Sequence, residues 1–139
     1  MKNQFKPLFM VLIVSVLIIS SLGCLNSAYR FEGKVMMEDG SQPFNNSTIY
    51  LDLVDITDQN HPTILTSFVI ENGEKNNYTY SLTYEEKLDP KGIYLIQAFV
   101  DMDANKAISS GDYVSIRPFQ RIEPNLFEQS YDVYVYFYH

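Results

Sequence analysis

The feature that most constrains the fold is an alternation of apolar and polar side chains, with a period of two, that recurs from Tyr29 to the end of the chain. Successive side chains of a β-strand point to opposite faces of the sheet, so this alternation indicates strands with one buried face. The alternating runs begin at Phe31, Ile49, Ile64, Tyr78, Tyr94, Tyr113 and Val133. About seven short strands therefore predict an all-β domain.

Clusters of Gly, Asn, Asp and Pro separate these runs, and each of these residues favours turns for its own backbone reasons. The clusters lie at 38–41, 43–47, 58–62, 72–74 and 89–92. Short strands joined by regular turns are typical of a β-sandwich or a small barrel. We expect one β-sandwich domain at 30–139, of Greek-key or immunoglobulin/transthyretin-like type, with one helical turn at 85–88.

The first 23 residues predict a targeting segment rather than part of the fold. Lys2 and Lys6 give a positive start, and residues 8–22 are apolar except for serines. This is the pattern of a secretory signal, and the run is shorter than the ~20 apolar residues of a spanning helix. We therefore expect a signal peptide at 1–23 and a tether at 24–29, with an uncleaved anchor helix as the alternative.

The only cysteine of the chain, Cys24, follows directly after this segment. The stretch Ser21-Leu22-Gly23-Cys24 resembles the lipobox of bacterial lipoproteins, which implies lipidation of Cys24 by diacylglyceryl and palmitate groups. The predicted location is the extracytoplasmic side of a cell envelope, anchored in the membrane. Leu25, directly after the cysteine, resembles the sorting signal of lipoproteins that go to the outer membrane, in cells that have a second membrane. The alternative is a plain secretory signal, cleaved after its small residues, that leaves a free thiol.

Composition excludes several classes of function. The chain has 10 Lys and Arg against 17 Asp and Glu, a net charge of −7, so it lacks the cations that bind nucleic acid. One Cys and two His exclude a disulfide framework or a Cys/His zinc site within one chain. Because neither histidine has a nucleophile at motif spacing, we expect no enzyme and no small-molecule substrate.

The order of several short motifs resembles a known family over roughly residues 31–100. The matching pieces are Gly33-Lys34-Val35, Pro43, Leu53-Val54-Asp55-Ile56-Thr57, Gly73, Leu82-Thr83-Tyr84 and the run from Asp89-Pro90 to Ala98. The family comprises the YbaY-type envelope lipoproteins, grouped with the type III secretion lipoprotein chaperones (YscW-type pilotins). The resemblance implies a β-sandwich lipoprotein and, for the pilotin branch, help in placing or assembling an outer-membrane secretin.

One stretch beyond the resemblance carries metal-binding chemistry. Asp101, Asp103, Asn105, Ala107, Ser109 and Asp112 occupy positions 1, 3, 5, 7, 9 and 12 of a twelve-residue calcium loop. Ala107 would contribute its carbonyl, and the other five residues would contribute side-chain oxygens. Lys106 stands where such loops have Gly, and Asp112 replaces the bidentate Glu, so we expect weak, structural Ca²⁺ binding. The alternative is a bare loop of turn-forming residues.

Three functions remain open at this stage. The leading one is a lipid-anchored envelope protein that binds or helps to assemble another envelope protein. The second is a structural surface β-domain, stabilised by calcium, that has no discrete partner. The third is a small carbohydrate-active hydrolase, which ranks lowest because the sequence offers no evident nucleophile or base.

Overall fold

The structure, a computed structural model, describes residues 27–40, 44–71, 78–115 and 121–139. The predicted signal peptide and Cys24 lie outside these ranges, as do Pro43, the turn at 72–74 and Ile116. The described residues form eight strands: β1 (Tyr29–Met37), β2 (Thr48–Asp55), β3 (Thr63–Glu71), β4 (Thr79–Tyr84), β5 (Tyr94–Asp101), β6 (Tyr113–Val114), β7 (Glu128–Ser130) and β8 (Val133–Phe137). No helix in these ranges is long and apolar enough to cross a membrane.

The strands belong to one sheet, in the order β3-β2-β5-β6-β8-β1-β4, and β7 pairs with β1 beside this path. β2 pairs antiparallel with β3 and with β5, and β1 pairs antiparallel with β4 but parallel with β7 and β8. The two end strands, β3 and β4, contact each other, so the sheet curls into a nearly closed barrel. The predicted all-β class is confirmed.

The core follows the alternation seen in the sequence. In β2 the side chains of Ile49, Leu51 and Leu53 are buried. They pack with apolar side chains of β1, β4, β5 and β8, which include Phe31, Val35, Leu82, Ile96, Val100 and Val135. Each of these residues stands at a position that the alternation places on an inward face, and burial of such side chains is the main driving force for folding.

Strand β3 departs from the predicted alternation at one point. The sequence places Ile64 on the same face as Phe68 and Ile70, but Ile64 is 56% exposed while Leu65 packs against the core. The register explains this, because Thr66 pairs with Leu53 and Ile64 pairs with Val54, which leaves Leu65 as an extra residue in β3. A bulge of this kind exchanges the two faces of a strand.

Two other expectations of local structure were wrong. Residues 85–88 form an irregular segment rather than a helical turn, and Leu88 is buried there. Strand β7 was also not predicted, because it consists of three polar residues, Glu128, Gln129 and Ser130. These residues form a strand because they pair with β1, although their own sequence shows no apolar alternation.

Strand β1 and the segment that joins β7 to β8 meet at Gly33. Tyr131 N–H donates to Glu32 O at 2.8 Å, and Lys34 N–H donates to Asp132 Oδ1 at 2.9 Å. The Oη of Tyr80 donates to Tyr131 O at 2.5 Å, and burial raises the pKa of Tyr80. A Cβ on Gly33 would lie 2.0 Å from Tyr131 O, so only glycine permits this approach.

We expect Gly33→Ala to lower the free energy of unfolding by about 1 to 3 kcal/mol, because the new methyl group meets backbone that cannot rotate away. Urea denaturation of residues 24–139 measures this loss. The larger Gly33→Val should cost more. Wild-type stability in Gly33→Ala would show that the two segments do not approach so closely.

Candidate functional site

The acidic loop, residues 101–112, joins β5 to β6. Asp101 is the last residue of β5, and Asp112 directly precedes β6. Two backbone hydrogen bonds fasten the loop to the residue that follows β8: Gly111 N–H donates to Tyr138 O at 3.0 Å, and Tyr138 N–H donates to Asp112 O at 2.8 Å. The loop is thus tied to both of the strands that flank β6.

Three carboxylates of the acidic loop converge. Asp101, Asp103 and Asp112 each place an oxygen within 4.8 Å of the others. Asp101 and Asp112 are each only 1% exposed, whereas Asp103 is exposed. Three of the six residues that the sequence predicted as ligands therefore meet at one point.

Asp112 is held by hydrogen bonds from the loop backbone. Its Oδ1 accepts from Met102 N–H at 2.9 Å, and its Oδ2 accepts from Ser109 N–H at 2.7 Å and from Ser109 Oγ at 3.0 Å. Burial by itself would raise the pKa of Asp112, but these hydrogen bonds favour the ionised form and hold the pKa below its ordinary value. Asp112 is therefore a charged group inside the loop at neutral pH.

Asp101 is less completely satisfied. Its Oδ2 accepts from Lys106 N–H at 2.9 Å. Its Oδ1 is buried and has no hydrogen-bond partner among the residues that the structure describes. A buried carboxylate oxygen without a donor is costly, and nearly all such atoms in proteins have a partner.

Asn105 and Ser109 lie beside the carboxylates. Asn105 Nδ2 donates to Asp103 Oδ2 at 2.8 Å and to Ser109 Oγ at 3.2 Å, while Asn105 Oδ1 accepts from Ala107 N–H at 2.6 Å. The amide oxygen predicted as a ligand is thus engaged with the backbone of Ala107. The predicted ligand role of the Ala107 carbonyl stays a prediction.

The backbone of the acidic loop makes the left-handed turn that calcium loops assign to glycine. Lys106 has φ 61° at that position, and Ala104 has φ 62° two residues before it. Non-glycine residues adopt this conformation at a cost of about 1 to 2 kcal/mol each. Hydrogen bonds such as that from Lys106 N–H to Asp101 offset this cost.

A second feature is a cleft of about 660 Å³ at the start of β1. Its walls come from three segments that are distant in sequence, and the lining residues are Ser27, Tyr29, Glu85, Glu86, Lys87, Leu88, Pro90, Pro124, Asn125 and Phe127. The Oη of Tyr29 donates to Pro124 O at 2.9 Å, and its ring lies 5.0 Å from that of Phe127. The sequence does not predict this cleft, because no local motif joins the three segments.

An exposed apolar side chain, that of Phe127, forms part of the rim of the cleft. Phe127 is 47% exposed, and Leu126, which precedes it in the sequence, is 54% exposed. Glu85 and Glu86 on the facing segment are also exposed and give that side negative charge, with Lys87 beside them. Neighbouring exposed apolar residues with a polar border are typical of protein-binding surfaces.

The histidines form no catalytic arrangement among the described residues. His61 Nδ1 lies 2.9 Å from Asp58 Oδ2 across a turn, and this hydrogen bond holds the pKa of Asp58 below its ordinary value. Both side chains are more than half exposed. His139 contacts the ring of Phe137 at 4.9 Å. The expectation that the chain is no enzyme stays a prediction.

Comparisons with known proteins give one informative likeness. The sequence matches no protein-family model, and a search of curated proteins finds no match. The fold is similar to that of an alternative pilotin from the type II secretion system of Vibrio cholerae, with a TM-score of 0.58 and 12% sequence identity. The likeness covers 78% of this chain and 97% of the pilotin chain.

The likeness therefore extends over nearly the whole of the other domain. It confirms the expectation of a pilotin-like fold, and at 12% identity it shows the fold alone. The YbaY-type and type III secretion branches of the predicted resemblance stay predictions.

The buried Asp112 of the acidic loop should stabilise the folded domain even without a metal. We expect Asp112→Ala to lower the free energy of unfolding by about 2 to 4 kcal/mol in the presence of chelator, because it removes the acceptor of three hydrogen bonds. Asp103→Ala is the matched control: Asp103 also accepts hydrogen bonds, from Asn105 and Ser109, but it is exposed and water can replace it, so its loss should cost less than about 1 kcal/mol. Equal losses by urea denaturation would contradict the hydrogen bonding described for Asp112.

Proposed function

We propose that this chain is an exported, lipid-anchored protein of the cell envelope that binds and helps to assemble a secretion-system protein, as a pilotin does. The observation that carries the proposal is the fold likeness to a type II secretion pilotin, which spans 97% of that chain. The predicted lipoprotein signal supports it independently, because it would bring the domain to an envelope membrane.

Anchoring through Cys24 has a clear physical consequence. Each buried CH₂ contributes about 0.8 kcal/mol, and the two chains of a diacylglyceryl group suffice for stable attachment. Removal of residues 1–23 takes away Lys2 and Lys6 and leaves 8 basic and 17 acidic side chains, a net charge of −9. Anionic lipids repel such a domain, so it would extend away from the membrane on its tether and remain accessible to a partner.

The surface that best suits a partner is the cleft at the start of β1. Ser27 of the predicted tether lines it, so a protein bound there would lie close to the anchor. The exposed apolar side chain of Phe127 on the rim offers surface that a partner would bury, and the carboxylates of Glu85 and Glu86 favour a cation on the partner. The proposed occupant is a segment of a secretion-system protein that carries apolar and basic side chains.

Anchoring is tested by Cys24→Ser. We expect the wild-type protein to sediment with envelope membranes and to enter the detergent phase on Triton X-114 partition. The variant cannot accept the diacylglyceryl group, so it should be released into the soluble fraction. Equal membrane retention of both proteins would indicate an uncleaved N-terminal helix, and release of both would indicate a plain secretory signal.

Partner binding is tested by affinity purification from solubilised envelope and identification of the bound protein. We expect a secretion-system component to bind the wild type. Phe127→Asp should reduce its recovery at least about tenfold, because it places a charge on the apolar rim of the cleft. Ile64→Asp is the matched control, since Ile64 is 56% exposed but lies on β3, outside the cleft.

Both variants must first retain the circular dichroism spectrum of the wild type. Recovery of the secretion-system component that neither substitution changes would place its binding outside the cleft. Failure of the wild type to recover any such component would contradict the proposal and favour a structural surface domain.

A further inference from the structure

We propose that the acidic loop binds one Ca²⁺ ion through the carboxylates of Asp101, Asp103 and Asp112. Each of these side chains places an oxygen within 4.8 Å of the other two. This inference goes beyond the proposed function and does not depend on it, because the ion would act within the domain rather than on a partner.

The three carboxylates form a cluster that no ion pair among the described residues balances. In the ranges that the structure describes, no lysine or arginine forms an ion pair with any of them. The hydrogen bonds to Asp112 come from Met102 and Ser109, which are both uncharged. Three carboxylates at this separation repel one another, and a bound cation would remove that repulsion.

A second and independent observation is that one carboxylate oxygen of Asp101 is buried without a hydrogen-bond partner among the described residues. Asp101 is 1% exposed, and its Oδ1 has no hydrogen-bond partner among the described residues. Its other oxygen is already used by Lys106 N–H. A divalent cation would satisfy Oδ1, because a carboxylate oxygen can coordinate a metal ion with the lone pair that would otherwise accept a hydrogen bond.

The ligand set favours calcium. All the candidate ligand atoms are oxygens, and Ser109 Oγ lies 3.0 Å from Asp112 Oδ2 and 3.4 Å from Asp103 Oδ2, within the same cluster. Ca²⁺ accepts 6–8 oxygens in flexible geometry, whereas Mg²⁺ requires a smaller and nearly ideal octahedron. Asn105 could add its oxygen only if its amide turned over, since Oδ1 now accepts from Ala107 N–H.

A bound ion would join parts of the sheet that the loop already connects. Asp101 ends β5, Asp112 precedes β6, and the backbone of Asp112 is bonded to Tyr138 after β8. The ion would therefore fasten one end of the β5-β6-β8 part of the sheet. Its role is structural, because no helix pair is present in the described residues to open on binding.

The test is calcium titration of residues 24–139, first stripped with chelator and followed by isothermal titration calorimetry. We expect one site with a Kd of roughly 10⁻⁴ to 10⁻³ M, the range of extracellular calcium modules. By mass action, 10 mM calcium should raise the melting temperature by about 5 °C or more. Magnesium at the same concentration should raise it less.

Two variants that each remove one negative charge give the matched comparison. Asp103→Asn, at the exposed ligand, should fold normally and bind calcium at least about tenfold more weakly. Glu128→Gln, on the exposed strand β7, should bind as the wild type does. No heat of binding and no thermal shift up to 10 mM calcium in the wild type would overturn the proposal. An equal loss of affinity in both variants would also overturn it, because the effect would then be general charge screening.

Discussion

Strand β1 and its close approach to the β7–β8 segment organise the rest of the structure. Only because Gly33 has no side chain can Tyr131 and Asp132 lie directly against β1. That approach lets a single nine-residue strand pair with β4, β7 and β8. The sheet therefore continues from β8 through β1 to β4, and the contact of β4 with β3 brings its two ends together.

Both candidate sites depend on this arrangement. The cleft forms where β1 begins, and Arg30 N–H donates to Phe127 O at 2.6 Å, so the apolar rim is hydrogen-bonded to the same strand. The register of β8 is set by its parallel pairing with β1. Tyr138, the residue after β8, donates its N–H to Asp112 O, so the position of the acidic loop depends on that register. The cleft and the proposed ion site are thus both positioned by β1, although neither proposed binding event depends on the other.

Much of the fold could be predicted from the sequence because burial repeats every two residues. The alternation placed Phe31, Leu51 and Val135 on inward faces without any knowledge of the topology. It failed where the backbone departs from regular pairing, as at the bulge beside Leu65. The alternation also did not predict β7, which is a strand because it pairs with β1 and not because of its own polar residues.

The two candidate sites differ in the same way. The acidic loop was predicted because its carboxylates are close in sequence, and the convergence of Asp101, Asp103 and Asp112 follows from local wrapping of one segment. The sequence could not show that Asp101 is buried with an unpaired oxygen, since that depends on the surrounding strands. The cleft needed three distant segments to meet, and only the tertiary structure brings Tyr29 and Phe127 into contact.

Native-state hydrogen exchange of the amide of Tyr131 tests most directly whether the β1 junction holds the domain together. This amide donates to Glu32 O across the junction. We expect this amide to exchange with the same free energy as that of Leu53 in the β2–β5 ladder, which means only through global unfolding. Much faster exchange at Tyr131, with Leu53 still protected, would show that the β7–β8 segment opens separately and would contradict the account.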